Sequence, residues 1–471
     1  MRLSHEGMSQ EQLRQALEAR SSKGRGAKGP RDPLLQEIEE VAAHAFRTFS
    51  MESALDPEGS PSLARFEDEL VALLASHLGG GDETVGSFTS GGSESILLAV
   101  KAARDHARAH RPEIQRPQIL VPSTVHAVFY KAAHYLGVET VVVPVDPLTY
   151  KADVAAVRRA ITPNTIQLVG SAISYPHGVV DPIRELGQVA LERGLLLHVD
   201  GCAGGFLLPY FRQLGANVPD FDFSVPGVTS ISVDLHKYAF VPRGAALMLY
   251  RNRDLRQHQL YACAKWAGYP FINSTVQSTK SCGPRAAAWA VLNFIGDKGY
   301  RDLAQRTLEA TRQMARGIRE VEELRLLVEP EMSMMAFAPR TVGLFHLAAS
   351  LQERGWYVHP QMGRNSGVPD SIHLTITPWM LPRVGAMLSE LRECIDEVRA
   401  RPPNPVAPPL DLQQLQAGNL GNLARLLSGG GGPSGGKPMH IADINALLNG
   451  LPAEVVERLL IAFTNAQSSL R

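Results

Sequence analysis

Lys237 follows His236 at the end of the strand-like run 230–235, and Asp200 closes another, the apolar 195–200. A lysine amine can condense with an aldehyde, and an aspartate facing a ring nitrogen keeps a pyridinium protonated, so that the ring can take electrons from a breaking bond. Together the two residues read as the working parts of a pyridoxal-phosphate site. Either one alone is commonplace, a surface dipeptide or a turn cap. Their neighbours along the chain give the pair its meaning.

Thr89-Ser-Gly-Gly-Ser-Glu-Ser95 leads directly into the apolar-periodic Ile96-Leu-Leu-Ala-Val100. Ser90, Gly91 and Gly92 thus form a loop without bulk at a helix start, where free N–H groups and partial positive charge suit a cofactor phosphate. His126 opens a helix after the strand 119–121 and is expected to lie flat on the cofactor ring, within reach of substrate oxygens. Tyr175 and His177, in Ser174-Tyr-Pro-His-Gly178, offer a phenol and an imidazole for proton transfer or substrate orientation. His236 is placed to meet the cofactor phosphate. Arg243, in Val241-Pro-Arg-Gly244, is placed to grip an anion on the substrate. His134 and His198 are read as structural, and Cys202 as a small core residue.

Parallel strands flanked by helices position such residues well. The apolar runs at 119–121, 140–144, 166–170, 195–200, 230–233 and 245–250 alternate with helical patterns. That alternation predicts an α/β fold with a large, mostly parallel sheet covered by helices. Ligands of such sheets gather at the carboxyl ends of the strands, where Asp200 and Lys237 fall. From about 301 the pattern becomes a smaller C-terminal α+β domain, with a helix at 301–322, strands near 325–329 and 372–377, and a helix at 384–399. The expected organisation is an N-terminal arm and helix (1–50), a large cofactor-binding domain (51–300), the small domain (301–401), and a Pro/Gly-rich linker with a helical tail (402–471). The tail segment 441–465 is apolar on one side and is expected to dock on the body or a partner subunit.

At 471 residues the chain exceeds what a single core usually supports, and its 47 basic and 47 acidic side chains cancel. No global field draws it to nucleic acid or an anionic membrane. The basic, Gly-rich stretch 20–30 is expected to be a solvated tether. No segment has the apolar length of a membrane span, and the start lacks the apolar core of a secretory signal, so a cytoplasmic protein is expected. The four cysteines are widely spaced without a Cys-x-x-Cys pair, which fits reduced thiols and predicts no metal site.

The string Thr89–Ile96, the His126 helix, Asn164–Ser171, Tyr175-Pro-His-Gly178, His198-Val-Asp200 with Gly204-Gly-Phe206, and Asp234-Leu-His-Lys-Tyr238 resemble the sphingosine-1-phosphate lyase family, within the fold-type-I pyridoxal-phosphate decarboxylases and lyases. Tyr238 and the Pro-Arg-Gly loop resemble the lyases more than the amino-acid decarboxylases. The resemblance implies a homodimer with shared active sites and a phosphate cup partly supplied by the neighbouring chain. It also implies retro-aldol cleavage of a phosphorylated 1,2-amino alcohol to a fatty aldehyde and phosphoethanolamine, with Lys237 or Tyr175 returning the proton. The sequence departs from the family at 278–283, where Thr279 would take the place of a hydroxyl on the cofactor phosphate and Lys280 that of an arginine. It departs again at 53–57, and at Arg243, which stands for a lysine. Decarboxylation of an aromatic or acidic amino acid, and a non-catalytic cofactor-binding protein, remain alternative readings.

Overall fold

The computed structural model describes residues 7–20, 32–53, 61–363, 366–400 and 440–467. The basic stretch 21–30, the loop 54–60 and the Pro/Gly-rich linkers within 401–439 lie outside the described residues. Seven strands form the main sheet: β1 (Val85–Thr89), β2 (Gln118–Pro122), β3 (Glu139–Val143), β4 (Thr165–Ser171), β5 (Leu196–Asp200), β6 (Ser230–Asp234) and β7 (Ala246–Tyr250). Their order is β1-β7-β6-β5-β4-β2-β3. The five strands from β6 to β3 run parallel, while β7 is antiparallel to both β1 and β6. Every residue of β4, β6 and β7 is buried, the polar Gln167, Ser230, Ser232 and Asp234 included.

One apolar layer, built around Leu168, Leu186, Leu197, Phe211 and Ile231, covers one face. Ile96, Val100 and Phe129, from the helices Gly92–His110 and Val128–Leu136, pack with Ile119 and Val169 on the other. The exposed hairpin β8 (Tyr261–Cys263) and β9 (Phe271–Asn273) leaves the sheet after β7.

The smaller domain is an antiparallel sheet of β10 (Leu324–Leu326), β11 (Met334–Pro339), β12 (Val358–Gln361) and β13 (Ser371–Thr375), in the order β10-β11-β13-β12. Helices Leu344–Glu353 and Val384–Ala400 cover it. Three of its elements were not expected from sequence: β11, β12 and the helix Leu344–Glu353. The helix expected at 301–322 is instead the second half of Gly283–Arg319, kinked at Gly296, whose φ of 63° breaks the helical path. This helix joins the domains, because Leu303 and Ala304 belong to the main core while Ala310 and Met314 belong to the small one.

The tail differs from its expected form as well. It is two helices, Ile441–Asn449 and Ala453–Gln467, separated at Gly450-Leu-Pro452. Proline and glycine stop a helix there. The first packs on the small domain, with His346 Nε2 at 3.2 Å from Asp443 and Asn449 donating to Asp370 at 2.7 Å.

At the carboxyl end of β4 the chain is tied by Asp181, whose two carboxylate oxygens accept from Ala152 N and Ser171 N, both at 2.8 Å. Burial pushes this carboxyl up to about 6, against the pull of those two N–H groups. Asp181→Ala leaves two buried N–H groups without partners, each costing roughly 1–3 kcal/mol. The expected loss is about 2–5 kcal/mol, read from urea unfolding; a loss under about 1 kcal/mol would show the tie to be dispensable.

Candidate active site

Parallel strands β5 and β6 pair His198 with Ser230 and Asp200 with Ser232, so their carboxyl ends open side by side. The chain leaves β6 through the short helical turn Leu235–Tyr238, which carries His236 and Lys237. On the other side of β6, beyond β7, β1 runs into Ser90, Gly91 and the helix Gly92–His110. These ends line a cavity of about 370 Å³, whose walls include Ser90, Gly91, Gly92, His126, Tyr175, Asp200, Asp234, His236, Lys237 and Arg243.

Gly91 caps the helix at φ 145°, a conformation that L side chains rarely adopt. A Cβ on Gly92 would lie 2.6 Å from Cys202 Sγ and 2.8 Å from Asp234 Oδ1, so bulk is excluded there. Glu94 fixes the loop from behind, accepting from Ser90 N at 2.6 Å with one oxygen and from Val276 N at 2.7 Å with the other. The first N–H groups of the helix have no intrahelical acceptor and are available to an anion.

Asp200 is buried and accepts from Cys202 N at 3.0 Å through Oδ1. Asp234 is buried as well; its Oδ2 lies 3.1 Å from Lys237 Nζ and 3.6 Å from His236 Nε2, while its Oδ1 has no hydrogen-bond partner among the described residues. His236 Nδ1 sits 3.0 Å from the Ala245 carbonyl, an acceptor only, so that nitrogen carries the proton. Burial acts to lower the Lys237 pKa, but Cys202 and the Asp234 and Asp200 carboxylates beside it together outweigh burial and hold the amine above the usual lysine range. Burial keeps Cys202 a neutral thiol by raising its pKa well above the ordinary value.

His126 is exposed at the rim, with its ring 6.3 Å from that of Tyr175 and edge-on to it. Tyr175 stacks on His373 of β13 at 4.3 Å, and burial raises its phenol pKa. The small domain therefore supports one wall of the cavity. Arg243 is exposed at the mouth and pairs with no carboxylate among the described residues.

Three expected site residues do not line this cavity. His177 is buried and stacks on Tyr150 at 4.1 Å with the rings nearly parallel, and burial pushes its pKa down to about 4. Facing away from the cavity, it holds its loop. Thr279 is exposed, and Lys280 donates to Thr275 Oγ1 at 2.7 Å; both lie on the segment outside Glu94. Asp234 was not singled out from the sequence, although Ser232-Val-Asp234 ends β6 as His198-Val-Asp200 ends β5. The repeated Val-Asp at neighbouring strand ends was the available signal.

The residues present fit pyridoxal phosphate. A bulk-free helix start suits its phosphate, Asp200 its ring nitrogen, and Lys237 its aldehyde. The unpartnered Oδ1 of Asp234 leaves an acceptor in the same cavity.

The family model for the pyridoxal-dependent decarboxylase conserved domain matches residues 52–340. A second, for a C-terminal helix-turn-helix domain of pyridoxal-dependent enzymes, matches residues 404–466. Over 346 residues the chain is 41% identical to the sphingosine-1-phosphate lyase of Arabidopsis thaliana, covering 72% of this chain and 62% of that protein. It is 34% identical over 330 residues to a probable L-tyrosine/L-aspartate decarboxylase of Methanothermobacter thermautotrophicus, covering 69% and 86%. The solved structure of a sphingosine-1-phosphate lyase of Burkholderia pseudomallei superposes with a TM-score of 0.79 at 34% identity, covering 85% of this chain and 93% of that one. The chain spans a little under two thirds of the length of the plant lyases it matches.

Proposed function

Because the chain belongs to the pyridoxal-dependent decarboxylases, and within them to the sphingosine-1-phosphate lyase family, we propose that it cleaves the Cα–Cβ bond of a phosphorylated 1,2-amino alcohol, releasing an aldehyde and phosphoethanolamine. Pyridoxal phosphate is its cofactor. When bound it supplies an electrophilic carbon for an amine and a ring that accepts the electron pair of the breaking bond.

The protein's own groups divide the remaining work. Ser90, Gly91 and Gly92 at the helix start would hold the cofactor phosphate, and His236 would border that position. Asp200 would accept from the ring nitrogen and keep it protonated. Lys237 would form the covalent link, with Asp234 Oδ2, 3.1 Å away, orienting its amine. His126 at the rim orients the ring and the substrate hydroxyl. Tyr175, whose phenol pKa is raised by burial, is protonated at neutral pH and acts as a proton donor rather than a base. Arg243 grips the substrate phosphate.

The observation that carries this reading is the pairing of two anion positions in one cavity: a helix start for one phosphate and an unpaired guanidinium at the mouth for another. The lyase reading is tested by incubating the holoenzyme with a phosphorylated sphingoid base, and separately with an amino-acid panel. Aldehyde and phosphoethanolamine support it. Carbon dioxide from an amino acid, with no aldehyde, replaces it with decarboxylation; neither product indicates a protein without turnover.

Arg243→Ala is expected to lower kcat/KM for the phosphorylated substrate roughly 10- to 100-fold, the worth of a charge-assisted pair, mostly through KM. The unphosphorylated amino alcohol should be affected less than about threefold. Equal losses on both substrates would remove the phosphate contact from Arg243.

A homodimer belongs to the same proposal. Thr279 and Lys280 lie outside the cavity of their own chain, so they reach a cofactor site only from a second copy. The exposed Tyr261, Trp266, Tyr269, Ile272 and Val276 on the adjoining hairpin give that copy an apolar surface to cover.

A further inference from the structure

Three imidazoles meet on the outside of the large domain, far from the cavity. His106 and His110 lie four residues apart on the helix Gly92–His110, one turn along the same face, with ring centroids 4.3 Å apart. His258 arrives from the turn after the short helix Arg253–Arg256, and its ring centroid is 5.1 Å from that of His106 and 5.5 Å from that of His110. One ring nitrogen from each residue lies within 4.8 Å of the others.

The hydrogen bonds around the rings leave their lone pairs free. His110 Nδ1 is 2.9 Å from the His106 carbonyl oxygen. A carbonyl can only accept, so Nδ1 donates and the lone pair of the neutral ring is on Nε2. This is the backbone contact that fixes the tautomer of a ligating histidine. His258 Nε2 is buried and has no hydrogen-bond partner among the described residues, an unsatisfied group that calls for one. The turn that carries it is pinned, since Lys101 Nζ donates to the carbonyls of both His258 and Leu260 at 2.8 Å.

We propose that His106, His110 and His258 bind one divalent late first-row transition ion, zinc or copper by class, through three imidazole nitrogens, with water in the fourth position. Zinc–nitrogen bonds of about 2.0–2.1 Å place tetrahedral donors roughly 3.4 Å apart, so the rings close by about an ångström through side-chain rotation. Asp105 does not join the set, because its carboxylate is held by Lys101 at 3.1 Å, Arg104 at 2.8 Å and Arg108 at 3.3 Å. Those cations oppose a second positive charge, which sets the affinity below that of a dedicated structural zinc site. The ion staples the far end of the helix whose start is the phosphate cup. Its position there, roughly 21–27 Å along the helix from Gly92, keeps it out of the reaction.

The test uses the chelator-stripped holoenzyme titrated calorimetrically with zinc chloride, as wild type, His258→Gln, and the triple variant His106→Gln/His110→Gln/His258→Gln. Wild type is expected to bind one ion per chain more than the triple variant, and His258→Gln to weaken that ion at least about tenfold. Zinc should raise the Tm of wild type but not of the triple variant, since an ion that binds only the folded state stabilises it. Turnover of the stripped wild type and triple variant should agree within about twofold. Equal zinc binding by wild type and triple variant overturns the proposal. Undiminished binding by His258→Gln also overturns it, reducing the feature to a helical histidine pair.

Discussion

Lys237→Ala is expected to abolish turnover and to prevent borohydride from fixing the cofactor to the chain, whereas the wild type should be fixed at that residue. The expected fall in kcat is on the order of 10³-fold or more, because the variant loses both the covalent link and a proton-transfer group. The reason lies in the neighbourhood of Nζ. Two buried carboxylates, Asp234 at 3.1 Å and Asp200 in the same cavity wall, flank it, and no other lysine lines the cavity among the described residues. Peptide mapping after reduction gives the readout. If the variant is still modified at high yield, or a different lysine carries the cofactor in wild type, the assignment fails. Added methylamine offers a second check, since a small free amine can enter the space left by the side chain and restore part of the rate without restoring the fixed adduct.

Gly178→Ala is expected to be the most damaging single substitution outside the chemistry. Gly178 has φ 72°, and a Cβ there would stand 1.8 Å from the Met334 carbonyl oxygen. Neither side can retreat. Met334 is registered with Thr375 in the small sheet, and the Gly178 carbonyl accepts from Glu331 N at 3.0 Å. Glu331 in turn accepts from Val180 N at 2.7 Å and pairs with Lys151 at 2.6 Å. The substitution combines left-handed strain of about 1–2 kcal/mol with a backbone overlap, for an expected loss above about 4 kcal/mol in urea unfolding, or recovery only as insoluble protein. Gly215→Ala is the control: φ is 78° but no atom lies within 4 Å, so the loss should be about 1 kcal/mol. Equal losses in the two variants would show that strain alone, and not the close seam between the domains, sets the cost.

The parallel core was legible because β2, β4 and β5 carry short apolar stretches that alternate with helical patterns along the chain. The small domain was harder to read. β11 is Met-Met-Ala-Phe-Ala-Pro, poor in the β-branched residues that mark strands, and it becomes a strand because β10 and β13 pair with its two edges. The tail's break at Gly450-Leu-Pro452 was written in the residues but hidden by apolar periodicity on either side. His106 and His110 were likewise visible as a pair four apart. Nothing local to His258 indicates that a turn after β7 returns it to that helix face.

By itself the sequence determined the strand-end positions of Lys237 and Asp200, the bulk-free loop Ser90–Gly92 and the sheet that carries them, because each depends on local residue type and short-range periodicity. Only the tertiary structure decided which neighbours face the cavity. It turned His177 away onto Tyr150, brought His373 beneath Tyr175, and set Asp234 against Lys237. Such choices follow from the packing of distant segments and the rotamers that packing permits, and no short stretch of chain encodes them.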